Sequence, residues 1–542
     1  MTIFDACSYI GSHPSERLAF TTVDALAKEM VRLGIQRALV SHLLAWQHAP
    51  DDGNRLLMEQ IAGRPNLEPC WVVLPGEPAR GVDPAAALVE RLVGQGLRAV
   101  RLCPRDHVFP LVDWMAGSLL QQLSERRYLL FLDPDQVVLP TGLFDVDPTG
   151  WRTIAWLCQS YPGLSVVLTR VGYRALRVLL PLMKACPNLH LDLSYFATHQ
   201  GVEEVVAQLG AGRLVFGTSQ PLVDPGGAIT RLAFADLDPG QRAQIANQNL
   251  ERLLERVGTR SAIPPDLSAA KPAATDPLVA AAREGQNLAK AGFEIIDAHG
   301  HLGPYRNFYI PDPSAEGIVR VLDRCGVSQA SLASHLAIGP DWILGNRMTA
   351  EAVAAFPGRL IGHAVANPHQ PELIRAELAC AFDELGLQAI KLHPDLAAHP
   401  ILGEGYRPAW EFAAERGCLV LSHTYHGSRF CDPQVFGQLA ERYPQVPILL
   451  VHSGALTAGF AGAIQLVKQF PNLYLDLSGS FITGAWIARM VREAGADRVI
   501  FSSDIPFIDL RYGLGRVLTA GLTEAEARLV LGGNIRRLLH LQ

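Results

Sequence analysis

The chain repeats itself, and that constrains its fold more than any other feature. Ile3-Phe4-Asp5-Ala6 returns as Ile295-Ile296-Asp297-Ala298, and Gly53-Asn54-Arg55 as Gly345-Asn346-Arg347. Gly96-Leu97-Arg98-Ala99-Val100-Arg101-Leu102 returns as Gly386-Leu387-Gln388-Ala389-Ile390-Lys391-Leu392. Pro187-Asn188-Leu189-His190-Leu191-Asp192-Leu193-Ser194 returns as Pro471-Asn472-Leu473-Tyr474-Leu475-Asp476-Leu477-Ser478, and Arg213-Leu214-Val215-Phe216 as Arg498-Val499-Ile500-Phe501. The matches keep their order and their spacing drifts only slightly. One unit has been duplicated, so the chain must build the same fold twice.

A length of 542 residues suits two barrels of ~250 residues each. In the second copy, β-rich runs fall at 293–298, 330–333, 361–365, 389–392, 419–422, 448–451, 473–477 and 499–502, with helical patterns such as 371–384, 408–416 and 434–442 between them. Eight strands separated by helices predict a closed parallel barrel. The fold class is therefore α/β, with two tandem (β/α)8 barrel domains at 1–257 and 293–542. Residues 258–292, with Pro264-Pro265 and Pro272, read as a proline- and alanine-rich linker, with one helix possible from Pro277 to Leu288.

The composition, 49% apolar and 18% charged, fits large buried cores, and a net charge of −6 leaves no basic footprint for nucleic acid. No signal peptide or membrane span is expected. The nine cysteines are scattered and lie in apolar runs, as reduced thiols of a cytoplasmic protein would.

In such barrels the chemistry sits where strands open into loops. His299-Gly300-His301 follows the first strand of the second copy, and residues two apart in an extended chain face the same way. Lys391 ends the fourth strand, His423 the fifth, His452 the sixth and Asp504 the eighth. Six polar residues on five strand ends predict one shared divalent-metal site. His363, His369, His393 and His399 are expected as loop or supporting residues. Tyr425, His426 and Arg429, after the fifth strand, are candidate substrate contacts.

These residues resemble the amidohydrolase superfamily, in the branch that holds metal-dependent hydrolases and decarboxylases. The resemblance runs through Asp-Ala-His-Gly-His at 297–301, Ile-Lys-Leu-His-Pro at 390–394, Ser-His-Thr at 422–424, Val-His-Ser-Gly at 451–454, Phe-Ser-Ser-Asp-Ile-Pro-Phe at 501–507 and Gly-Gly-Asn at 532–534. It implies that His299, His301 and Asp504 hold a metal with His423 or Lys391 as further ligands, that Asp504 shuttles a proton, and that His452 polarises substrate or carries a proton. Imidazole and carboxylate suit zinc first, with manganese, iron or nickel as alternatives. One ion is expected, or two if Lys391 becomes a carbamate.

The leading expectation is hydrolysis of an amide, lactone or ester in a small anionic metabolite, by a water activated at the metal. The alternative is non-oxidative decarboxylation, or a hydratase reaction.

In the first copy the functional types are gone. Cys7, Tyr9, Arg101, Asp133, Arg170 and Ser219 stand at the positions of His299, His301, Lys391, His423, His452 and Asp504. A metal-free pseudo-enzyme barrel is expected, packed on the active one as in a pseudo-dimer. Its Arg101 and Arg170 either bind an anion or pair with Asp133.

Overall fold

The computed structural model describes residues 1–15, 17–76, 84–137, 150–258 and 276–541. The chain divides into two compact units, with the boundary between Val279 and Ala280. Most of the expected linker, residues 259–275, lies outside the described residues. Pro277–Glu284 is helical, ending one turn short of the expected Leu288.

Each unit is an eight-stranded parallel sheet in sequential order. The first holds β1 (Phe4–Ile10), β2 (Arg37–His42), β3 (Leu67–Val72), β4 (Ala99–Leu102), β5 (Leu129–Leu132), β6 (Ser165–Leu168), β7 (Leu189–Asp192) and β8 (Leu214–Val215). The second holds β9 (Ile296–Leu302), β10 (Gln329–Ser334), β11 (Leu360–Val365), β12 (Ala389–Leu392), β13 (Val420–His423), β14 (Ile448–Val451), β15 (Leu473–Asp476) and β16 (Val499–Ile500). Helices separate most strands, and in each unit the first strand also bonds to the segment after the eighth, Ala6 N–H to the Phe216 carbonyl at 2.8 Å and Ala298 N–H to the Phe501 carbonyl at 3.1 Å, which rounds the sheet into a barrel. Among the described residues no helix is long and apolar enough to cross a membrane. All nine cysteines are free thiols, seven of them buried.

The eighth strand of each unit is only two residues long, so the segment after it completes the barrel. A buried aspartate at the start of the first strand does the joining. Asp297 accepts hydrogen bonds from the Ser503 backbone N–H (2.9 Å) and from the Ser503 hydroxyl. Asp5 does the same with Thr218, at 2.9 Å from its N–H and 2.5 Å from its hydroxyl. Burial pushes the Asp297 carboxyl up to about 7, so its hydrogen bonds carry the cost of taking it out of water.

Below this closure the barrel interior is apolar and sealed by the last helix. Ile535 and Leu538 pack against Ile296, Ala389, Leu421, Leu449 and Ile500, as Leu250 and Leu254 pack against Phe4, Ala99, Leu129 and Val215. Asn534 donates to the Ala496 and Val499 carbonyls, and Asn249 to those of Ala211 and Leu214. The duplication thus extends to individual hydrogen bonds.

One expectation on register is corrected. His299 and His301 lie inside β9 rather than after it, because β9 pairs with β10 as far as Leu302, after a register shift between Ala330 and Leu332. Gly300 between them is required. A Cβ there would come within 2.7 Å of the Ile505 carbonyl oxygen and of the Leu332 side chain.

Candidate metal centre

His299 and His301 sit on one face of β9, and Asp504 follows β16 on the neighbouring segment. The Asp504 N–H donates to the His299 carbonyl at 2.9 Å, which ties the two elements together. Asp504 Oδ1 lies 3.5 Å from His301 Nε2 and 3.9 Å from His299 Nε2. Two ligands on one tetrahedral ion with bonds of ~2.0–2.1 Å stand about 3.3–3.4 Å apart, so this spacing fits a shared divalent ion.

The far side of each imidazole decides which nitrogen is free. His301 Nδ1 lies 3.2 Å from the Ala333 carbonyl, which can only accept. The Ser478 hydroxyl gives its single proton to Asp476 and so accepts from both His452 Nδ1 (2.8 Å) and His299 Nδ1 (3.3 Å). All three rings therefore carry Nδ1–H and leave the Nε2 lone pair for an ion or a proton. Burial holds His299, His301 and His452 well below the usual histidine range, which keeps them neutral. Two backbone positions are unusual for residues with side chains: His452 at φ 66° and Asp504 at φ 67°. Such strain clusters at functional sites.

Lys391 Nζ lies 2.8 Å from His299 Nε2 and donates to it. Burial depresses its amine to about 8, against the opposing pull of Asp504 and Asp476. His423 is not brought into the triad. Its Nε2 faces Asp395 Oδ2 at 3.3 Å, and its ring stacks on His393 at 4.1 Å. Tyr425 and His426 are exposed, on the loop after β13. The Arg429 guanidinium lies over the Phe430 ring, and His426 Nδ1 is 3.5 Å from Asp432.

Sequence reasoning missed the supporting layer of Asp476, Ser478 and Asp395, and an aromatic wall. Phe507 stacks on His335 at 4.2 Å and lies 4.7 Å from Tyr305 and 5.1 Å from His301. The missed signal for Asp476 and Ser478 was the retention of Asp192 and Ser194 in the first copy, where none of the six site residue types is kept.

The sequence model of the amidohydrolase family matches residues 15–256 and 296–541. The chain belongs to the amidohydrolase family. Among curated relatives, a gamma-resorcylate decarboxylase of Polaromonas sp. is 26% identical over 252 residues, covering 36% of this chain and 75% of that protein. A second gamma-resorcylate decarboxylase, from Rhizobium radiobacter, is 28% identical over 141 residues, 25% of this chain and 43% of that one. Among solved structures, 2,6-dihydroxybenzoate decarboxylase from Rhizobium is 19% identical over 46% of this chain and 99% of its own, with a TM-score of 0.38.

Both halves of this amidohydrolase match the family, yet the donors differ. Among the described residues, every cluster of three potential metal ligands lies in the second barrel. At the matched place in the first barrel, Arg101 donates to Cys7 Sγ (3.2 Å), Asp133 Oδ1 (3.3 Å) and Thr169 Oγ1 (3.1 Å). Arg170 donates through Nε (2.9 Å) and Nη2 (2.6 Å) to Asp133 Oδ2 and lies over the Trp46 ring. Of the two expectations for these arginines, pairing with Asp133 is the observed one. The strained backbone is shared by the first barrel, with Arg170 at φ 53° and Ser219 at φ 52°.

His363, expected as a loop or supporting residue, is a strand residue. It is fully buried in β11, neither ring nitrogen has a hydrogen-bond partner among the described residues, and burial depresses it to about 3. The unfolded chain takes up a proton near the ordinary 6.5, so this group's contribution is complete above pH 6.5 and is lost as pH falls towards 3. Between pH 6 and pH 5 the stability of the wild type relative to His363→Leu should fall by about 1 kcal/mol. Urea midpoints at the two pH values test this; an unchanged gap would contradict it.

Proposed function

We propose that the second barrel is a metal-dependent, non-oxidative decarboxylase of a hydroxylated aromatic acid, and that the first barrel does no chemistry. The observation that carries this reading is that both curated relatives are gamma-resorcylate decarboxylases. They favour decarboxylation over the hydrolysis that ranks first from the sequence. The wall of Tyr305, His335 and Phe507 beside His301 supports it, because it offers a planar ring a stacking surface.

His299, His301 and Asp504 would hold the ion, and their two nitrogens and one oxygen suit manganese as well as zinc. When bound, a divalent ion supplies positive charge that grips the acid group and stabilises negative charge developing on the ring. Decarboxylation breaks the bond from ring carbon to carboxyl carbon, leaves the electron pair on the ring carbon, and replaces CO₂ with a proton. Asp504 and His452 would carry that proton. His452 holds it at Nε2, because Ser478 and, behind it, Asp476 engage Nδ1. Lys391 donates to the Nε2 lone pair that His299 would give to an ion. Freed from it, the amine is a counter-charge for the substrate carboxylate.

The full chain, supplied with manganese or zinc, should release CO₂ from 2,6-dihydroxybenzoate or a related hydroxybenzoate and, in D₂O, leave deuterium at the vacated ring carbon. Turnover of amides or lactones alone, with every hydroxybenzoate left intact, would reject the proposal.

A further inference from the structure

One imidazole at the mouth of the second barrel has no part in the proposed reaction. His393 follows β12 directly, two residues after Lys391. Residues two apart in an extended chain face the same side, and His393 is close to extended, with φ −133° and ψ 77°. Lys391 points at His299, so His393 faces the same mouth. Burial holds its imidazole well below the usual histidine range, and the charges of His423, Lys391, His301 and His452 push the same way. The ring therefore sits among the groups of the metal centre and is neutral.

Two contacts fix that ring. It stacks face to face on His423, with centroids 4.1 Å apart and planes 15° apart. Its Nδ1 accepts from the Leu396 N–H at 3.3 Å and so caps the short helix Pro394–Ala397. An accepting nitrogen carries no proton, so the proton of the neutral ring stands at Nε2. That Nε2–H has no hydrogen-bond partner among the described residues, on a half-buried side chain.

The polarity of His393 is the reverse of its neighbours'. His299 and His452 spend their Nδ1–H on Ser478, and His301 spends its own on the Ala333 carbonyl. Those three turn a lone pair towards the mouth, as an ion or a proton requires. His393 turns an N–H there instead, which suits an oxygen that accepts. In the proposed reaction the ion and Lys391 take the substrate carboxylate, and the wall of Tyr305, His335 and Phe507 takes the face of the ring. The polar group left over on a hydroxylated acid is the ring hydroxyl, whose oxygen accepts.

We infer that His393 is a specificity-determining residue: its Nε2–H donates to the oxygen of a ring hydroxyl beside the carboxyl group, and so selects ortho-hydroxylated aromatic acids over unsubstituted ones. This role rests on the proposed decarboxylation for its class of substrate. His393 carries no proton in the reaction; it reads the acid before the reaction starts. An acid without the hydroxyl leaves the N–H without its partner, which is how a hydrogen-bonding site rejects such an analogue. Water still reaches a half-buried donor, so the discrimination should be about tenfold to a hundredfold.

Stopped-flow titration of the manganese-loaded full chain with 2,6-dihydroxybenzoate and with benzoate reads binding ahead of turnover. The wild type should bind the dihydroxy acid at least about tenfold more tightly. His393→Phe keeps a ring to stack on His423 and removes the donor; its preference should fall below about threefold, with manganese content unchanged. If that variant fails to fold or to hold manganese, His393→Asn decides, because asparagine still caps Leu396 and is too short to place a donor where Nε2 stands. The wild-type preference persisting in the folded variant would overturn the inference, as would a wild type that binds the two acids alike or binds neither. A preference that the variant loses, in a chain whose wild type releases no CO₂, would instead defeat the decarboxylase reading and leave the role of His393 standing.

Discussion

Changing Asp504 to asparagine should lower the rate of CO₂ release by about a thousandfold while leaving the fold intact. The amide keeps an oxygen within reach of an ion but cannot carry a proton, and a positioned proton carrier contributes about 10²–10⁴-fold. The carboxylate stands 3.5 Å from His301 Nε2, on backbone held at φ 67°. An asparagine has the same shape and tolerates that conformation, so the melting temperature should shift little. Single-turnover rates and circular dichroism measure both effects. A variant that retains activity within tenfold would remove Asp504 from the proton path and leave it as a ligand alone.

The second large effect lies in the first barrel. Asp133→Asn should destabilise that barrel by about 3–5 kcal/mol, because it leaves two guanidiniums without their shared carboxylate. Arg101 is 2% exposed and Arg170 24%, and both bind Asp133. The arginines and Thr169 hold the Asp133 carboxyl below the usual aspartate range against the pull of its burial, so it is charged at neutral pH. Replacing Arg101, Asp133 and Arg170 together by apolar residues of similar volume should cost far less than Asp133→Asn, since no charge is then stranded. Thermal or urea unfolding distinguishes the two outcomes. Equal costs for the single and triple variants would show that the network contributes by shape and not by charge.

The duplication, the strand count and the strand ends that carry chemistry were legible in the sequence because they follow from short-range patterns. β12 and β14 fall where the apolar runs predict them, and His423 ends β13 as expected, while Lys391 lies one residue inside the end of β12. What the pattern could not convey is set by distant contacts. β9 extends through His301 because β10 offers it partners, and no local signal in Asp-Ala-His-Gly-His reveals that. His423 turns to Asp395 because the loop ending at Cys431 folds back on it. Lys391 reaches across the barrel to His299, and Arg101 makes the matching reach to Cys7. In each copy a cation from the fourth strand meets the first ligand position of the first strand.

The central claim is that the second barrel alone holds the working ion, through His299, His301 and Asp504. Manganese content of the purified full chain, measured beside the His299→Ala/His301→Ala variant, tests it most directly. One manganese per chain in the wild type, and none in the variant together with loss of CO₂ release, is the predicted result. Manganese retained by the variant, or decarboxylation that survives without it, would contradict the account.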